Sequence, residues 1–171
     1  MKTLALLRHA KSSWDDPNLD DFDRPLAPRG MEAAKRVGNE LKRRKLAFDL
    51  VLASPARRVT ETIAEVEKGY GETLNARFDP RLYGASDEEL LSIVRETGHE
   101  IERLLVIGHN PTLQQLAAGL AEEGSSEARA VADHYPTAAL TIIDLPATTW
   151  REVEPGTGRI ALFVRPKDLR D

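Results

Sequence analysis

Five apolar runs of strand length alternate with stretches of helical period: TLALL (Thr3 to Leu7), FDLVLAS (Phe48 to Ser54), RLLVIGH (Arg103 to His109), ALTIIDL (Ala139 to Leu145) and RIALFV (Arg159 to Val164). No other feature constrains the chain as tightly. The first three runs carry polar residues only at their ends, as strands do when both faces of a sheet are covered. Between the runs lie amphipathic segments. RGMEAAKRVGNELKRR places Met31, Ala34, Val37 and Leu41 at helical spacing, and the basic cluster LKRRKL (Leu41 to Leu46) reads as its last turn, where cations complement the helix dipole. SDEELLSIVRET opens with Ser86 and has Glu89 three residues on, a capping box. NPTLQQLAAGLAEEG puts Leu113, Leu116, Ala117 and Leu120 on one face, with Gly124 as its stop, and EPGTGR (Glu154 to Arg159) is a tight turn into a last strand. The expectation is an α/β fold, a three-layer α/β/α sandwich with a mostly parallel central sheet. A single domain is expected over residues 1–171, because no repeat or linker interrupts the alternation.

A chain of 171 residues buries enough apolar surface to need no covalent staple, and it contains no cysteine. Thiolate catalysis and thiolate–zinc sites are therefore excluded. The formal net charge of -4 argues against a nucleic-acid partner, which calls for a basic excess. The apolar stretch after Lys2 is broken by Arg8, too early for a signal sequence, and no run approaches the ~20 residues a membrane helix requires. A soluble, cytoplasmic protein without a membrane partner is expected. The acidic segment DDPNLDDFDRPL (Asp15 to Leu26) reads as a loop near the mouth of the first strand, with Arg24 pairing to its carboxylates. Its Asp16, Asn18 and Asp20 mimic a calcium loop, but Asp21 and Ala27 stand where that loop needs glycine and glutamate, so no metal is expected.

Chemistry collects at three strand ends. TLALL is followed by Arg8 and His9, FDLVLAS by PARRVTET with Arg57 and Arg58 in a first helical turn, and RLLVIG by His109 and Asn110 before Pro111 opens a helix. Open α/β sheets bind ligands beyond the carboxyl ends of their strands. Helix amino termini and guanidinium forks both suit phosphate oxygens. Arginines alone would make a binding site; two imidazoles imply covalent phosphoryl chemistry, one attacking phosphorus while the other stabilises charge or moves a proton.

LLRHA, SPARRVTET and VIGHNP, in that order, resemble the histidine phosphatase superfamily with its phosphoglycerate mutase-like fold. RHAKSSW, DFDRPLAPRG and the terminal RPKDL are similar to its SixA-type phosphohistidine phosphatases. The resemblance implies that His9 is the phosphorylated nucleophile, that Arg8 clamps the anion beside it, and that His109 is the second pocket histidine. It also implies that Arg58, four residues after Ser54, is the second arginine rather than Arg57. Lys11, Ser12, Asp15, Arg57 and Asn110 are the candidates for substrate binding around these four. Asn110 and the residues after the nucleophile also have plain loop-shaping roles to play. His99 and His134 are expected to face solvent.

The chain departs from the larger members in three places. Tyr83 follows Leu82 where they carry a glutamate general acid; Asp79, Asp87 and Glu88 are the nearby carboxylates. Asp15 follows Trp14 where mutase-like members carry asparagine, and Glu61 stands where many have glutamine. Expelling an alkoxide benefits from a strong acid, whereas a phosphoramidate expels an imidazole that already carries a proton. The expected function is therefore a phosphatase working through a phosphohistidine on His9, without a cofactor. Its expected partner is a protein phosphohistidine, for instance on a phosphotransfer domain. The alternatives are a small phosphorylated substrate hydrolysed as a phosphomonoester, or a phosphate- or phosphoprotein-binding module without turnover.

Overall fold

All five apolar runs become strands of one sheet in the computed structural model, which describes residues 1–169. In chain order the elements are β1 (Lys2–Arg8), α1 (Pro28–Arg43), β2 (Leu50–Ala53), α2 (Arg57–Tyr70), β3 (Arg77–Phe78), α3 (Asp87–Arg95), β4 (Arg103–Gly108), α4 (Thr112–Leu120), α5 (Ser126–Asp133), β5 (Leu140–Leu145) and β6 (Arg159–Val164). The sheet order is β3-β2-β4-β1-β5-β6. The pairings β1–β4, β2–β4 and β2–β3 are parallel, and β1–β5 and β5–β6 are antiparallel.

Alternation along the central strands explains the three layers. Leu4 and Leu6 of β1, with Leu104 and Val106 of β4, pack against α3, α4 and α5. Ala5, Leu7, Leu105 and Ile107 point the other way, against α1 and α2. Burying both faces is what near-continuous apolar strands require. The Ser86–Glu89 capping box forms at the start of α3, with Ser86 Oγ accepting from Glu89 N and Glu89 Oε1 accepting from Ser86 N. At the far end of β1, the buried ammonium of Lys2 donates to the carbonyls of His99 (2.6 Å) and Ile101 (2.9 Å), which compensates its removal from water.

Two expectations are corrected. The buried face of α1 includes Gly30 and Gly38 in place of Met31, which is 39% exposed. The helices α1 and α2 approach so closely that a Cβ on Gly38 would overlap Val66 O and sit 2.8 Å from Tyr70 N. Gly69 answers from the other helix, where a Cβ would sit 2.8 Å from Asn39 N. Helix α4 ends at Leu120 rather than running to Gly124, because the chain turns away to pair Ala121 with Gly158. Among the described residues, no helix is long and apolar enough to cross a membrane.

Candidate active site

The order β2-β4-β1 makes the carboxyl ends of three parallel strands adjacent, and this brings the separated motifs together. His9 follows β1, His109 follows β4 between them, and Arg58 lies in the first turn of α2 after β2. The imidazole centroids of His9 and His109 are 5.4 Å apart, their planes tilted by 58°. Arg8, His9, Arg58 and His109 share the wall of one open cavity of about 300 Å³. Lys11, Ser12 and Asn110 also line it, together with Trp14, Arg24 and Thr137. Larger recesses, of about 430 Å³ beside β2, about 680 Å³ between α1 and β6 and about 340 Å³ beside α2, contain no histidine.

Backbone bonds to both neighbouring strands fix the end of β1. His9 N donates to Gly108 O at 3.0 Å, and Arg8 N to Ala139 O at 3.0 Å. The Arg8 Nη1 donates to Tyr135 O at 2.9 Å, the same oxygen that accepts from Asn110 Nδ2 at 3.1 Å. The buried Thr62 ties the segment after His9 to α2, since its Oγ1 accepts from Ala10 N and donates to Arg58 O. Nε of Arg8 and Nε of Arg58 are buried without a hydrogen-bond partner in the protein. Buried donors are normally satisfied, so these two are exceptions among the guanidinium nitrogens of the site.

The partners of the rings decide where their protons lie. His9 Nδ1 is 2.7 Å from Ala10 O, and a carbonyl only accepts, so Nδ1 carries hydrogen and Nε2 presents its lone pair. Burial first, and then the charges of His109, Arg58 and Arg8, push the pKa of His9 down to about 3, against a raising contribution from the Ala10 carbonyl. The neutral imidazole is the nucleophilic form. His109 is lowered to about 4, mainly by burial and then by Arg58. Its Nδ1 faces Arg58 Nη2 at 3.4 Å and its Nε2 lies 2.8 Å from Ser54 Oγ. An arginine only donates, so the neutral ring donates from Nε2 to Ser54.

Two residues expected to bind substrate stand outside the cavity wall. Arg57 is one helical step, about 100°, from Arg58, and its Nε pairs instead with Glu61 Oε2 at 2.8 Å. Asp15 is exposed on the loop, its main-chain N bonded to Ser13 Oγ. Glu61 ties that loop down, since its Oε1 accepts from Leu26 N at 2.8 Å. Arg24 does pair with the acidic loop, at 3.2 Å from Asp21 Oδ1, but it also enters the cavity, donates to Ser12 Oγ at 2.6 Å and covers the exposed Trp14 ring at 3.6 Å. His99 and His134 are exposed and do not line the cavity. Among the described residues, no three His, Cys, Asp or Glu side chains gather as a metal cage.

Tyr83 and Asp21 escape the sequence reading as site residues. The Tyr83 ring meets His109 edge-on at 5.6 Å, and its hydroxyl donates to Asp21 Oδ2 at 2.7 Å. Asp79, Asp87 and Glu88 do not line the cavity: Asp79 is engaged by Arg81, and the other two lie in the first turn of α3. The departure at Leu82-Tyr83 was the visible signal for Tyr83. Asp21 carried none beyond its place in DFDRPL.

Residues 4–85 match the profile of the histidine phosphatase superfamily (branch 1). The chain is 35% identical over 164 residues to an uncharacterised Mycobacterium tuberculosis protein, covering 94% of this chain and 100% of that one. It is 30% identical over 117 residues to the phosphohistidine phosphatase SixA of Escherichia coli, covering 67% of this chain and 71% of the relative. A solved structure from Agrobacterium tumefaciens, assigned as a phosphohistidine phosphatase SixA, superposes with a TM-score of 0.79 at 27% identity, covering 96% of this chain and 98% of the other.

Proposed function

The chain belongs to the histidine phosphatase superfamily, and from that premise we propose that this phosphatase cleaves the P–N bond of phosphohistidine in proteins such as phosphotransfer domains. The observation that carries the reading is the free Nε2 of His9, held unprotonated by the bond from Nδ1 to Ala10 O. In the first step Nε2 attacks phosphorus, the substrate P–N bond breaks, and its electron pair leaves with the substrate imidazole, whose other nitrogen already carries hydrogen. In the second step water attacks the phosphoryl group on Nε2. The P–N bond to His9 breaks, the water protons pass to the phosphate and solvent, and the neutral imidazole returns.

Arg8 and Arg58 stabilise the transferring oxygens, and His109 lies across the cavity from His9. Tyr83, edge-on to His109, follows Leu82 where the resemblance implies a glutamate acid in larger members, which supports a leaving group that needs no strong donor. The named activity of the Escherichia coli relative supports the same substrate class.

The test compares hydrolysis of a phosphohistidine-bearing protein with that of p-nitrophenyl phosphate, using His9→Ala as the blank. The expected result is a higher kcat/KM on phosphohistidine and labelled phosphate trapped on His9. Faster turnover of p-nitrophenyl phosphate would assign a small phosphomonoester instead. A protein that binds phosphate without forming an adduct would be a binding module.

A further inference from the structure

The acidic loop contributes one group to the site that neither spacing nor motif singled out. Asp21 opens a single 3-10 turn (Asp21–Asp23), and its two kinds of oxygen hold the fork of Arg58. The main-chain oxygen accepts from Arg58 Nη1 at 2.8 Å, and Oδ2 lies 3.1 Å from Nη2, which is the nitrogen facing His109. The same Oδ2 accepts from Tyr83 OH at 2.7 Å, while Oδ1 accepts from Arg24 Nε at 3.2 Å. The next residue, Phe22, packs edge-on against Tyr83 at 5.1 Å, so the turn is pinned by two adjacent side chains.

We propose that Asp21 is a positioning residue for phosphoryl transfer, which sets the Arg58 guanidinium and tempers the positive charge of the cavity so that the phosphate product departs. The inference rests on the phosphatase reading with His9 as nucleophile. Arg58 is buried and enters from a helix, so its fork is aimed only by what meets its far end. A two-point, partly charge-assisted hold restricts that fork as a single neutral bond would not. The Asp21 side chain itself is 51% exposed. Tyr83 is the donor that keeps it turned inward, and the contacts of Tyr83 with Phe22 and His109 fix that donor.

Charge is the second half of the role. Arg8 and Arg58 alone would hold a phosphate dianion strongly in a partly buried site. One carboxylate on Arg58 cancels part of that field without touching the anion. Asp21 is not a proton donor, because the Tyr83 hydrogen bond, and then Arg58 and Arg24, hold its carboxyl down at about 2.

The experiment measures single-turnover rates, inhibition by inorganic phosphate and labelled-phosphate trapping on His9 for wild type, Asp21→Asn, Asp21→Glu and Tyr83→Phe. Losing one charge-assisted bond should slow the chemical step of Asp21→Asn about tenfold. Losing the carboxylate should tighten inorganic phosphate inhibition by roughly fivefold. Asp21→Glu should restore part of the phosphate effect, and Tyr83→Phe should slow the chemical step by less than Asp21→Asn does. A merely structural role predicts slower chemistry with weaker or unchanged phosphate inhibition, and that result would overturn the proposal. Should Asp21→Asn not fold, an unchanged rate in Tyr83→Phe overturns it equally. Absence of a His9 adduct in the wild type would instead overturn the phosphatase reading, a separate outcome.

Discussion

His9→Asn should flatten the dependence of stability on pH, and the size of the effect follows from the environment of the ring. In an unfolded chain this imidazole titrates near its ordinary 6.5, whereas in the folded protein it is held down to about 3, by burial before all else. The sign follows from which state takes the proton. Below 6.5 the unfolded chain binds a proton that the folded chain refuses, so stability is complete above that pH and drains as pH falls toward 3. Each unit within the window is worth about 1.4 kcal/mol. At pH 4.5, two units into the window, His9 alone should have removed about 2–3 kcal/mol.

Asparagine suits the test because its amide can still donate to Ala10 O and does not titrate in this range. Urea unfolding followed by circular dichroism at pH 7.5 and pH 4.5 gives each protein its own loss. Carboxylates common to both proteins cancel in the difference, as does any constant cost of the substitution. Wild type should lose about 2–3 kcal/mol more than His9→Asn. Equal losses, within about 0.5 kcal/mol, would refute the claim that His9 is kept neutral, and with it the free lone pair on which the proposed chemistry depends.

The same shift should appear in rate. Formation of the His9 adduct in single turnover should hold nearly constant from pH 7.5 down to about 5 and fall only as His9 (about 3) and His109 (about 4) take protons; half-loss near 6.5 would contradict the buried, neutral rings. Gly38→Ala tests the helix contact by its sign. Helix propensity alone would stabilise the protein by about 1 kcal/mol, but overlap with Val66 O should instead destabilise it by about 1–3 kcal/mol, read as a lower thermal midpoint.

Much of the architecture was legible because it rests on period. The apolar interiors of β1 and β4 announced strands with two covered faces, and their neighbours in sequence announced the chemistry at their ends. What period could not convey is close approach. Met31 fits an apolar stripe on paper, yet glycines at 30 and 38 join Ala34, Val37 and Leu41 on the buried face, since nothing larger fits at those two positions. Strand β3, two exposed residues, is too short to show a pattern. Arg58 was separable from Arg57 only through the resemblance, although a helical step of about 100° is what divides them in space. Asp21 reaches Arg58 from 37 residues away, through a turn whose placement depends on Phe22, Tyr83 and Arg24 together. Spacing along the chain carries no trace of such a contact.

Helix α1 lends no side chain to the cavity wall, yet it governs the site through Gly30. A Cβ there would collide with the carbonyl of Lys11, two residues beyond His9, and stand 2.9 Å from its amide. The helix thus rests directly on the peptide that leaves His9, while Gly38 seats its later turns on α2, the helix that carries Arg58. His9 and Arg58 share one spacer, and at Gly30 and Gly38 its thickness is the thinnest that polypeptide allows. Bulk added at Gly30 or Gly38 would pry the two apart, so the tolerance for change at these positions should be lower than their distance from the imidazoles suggests.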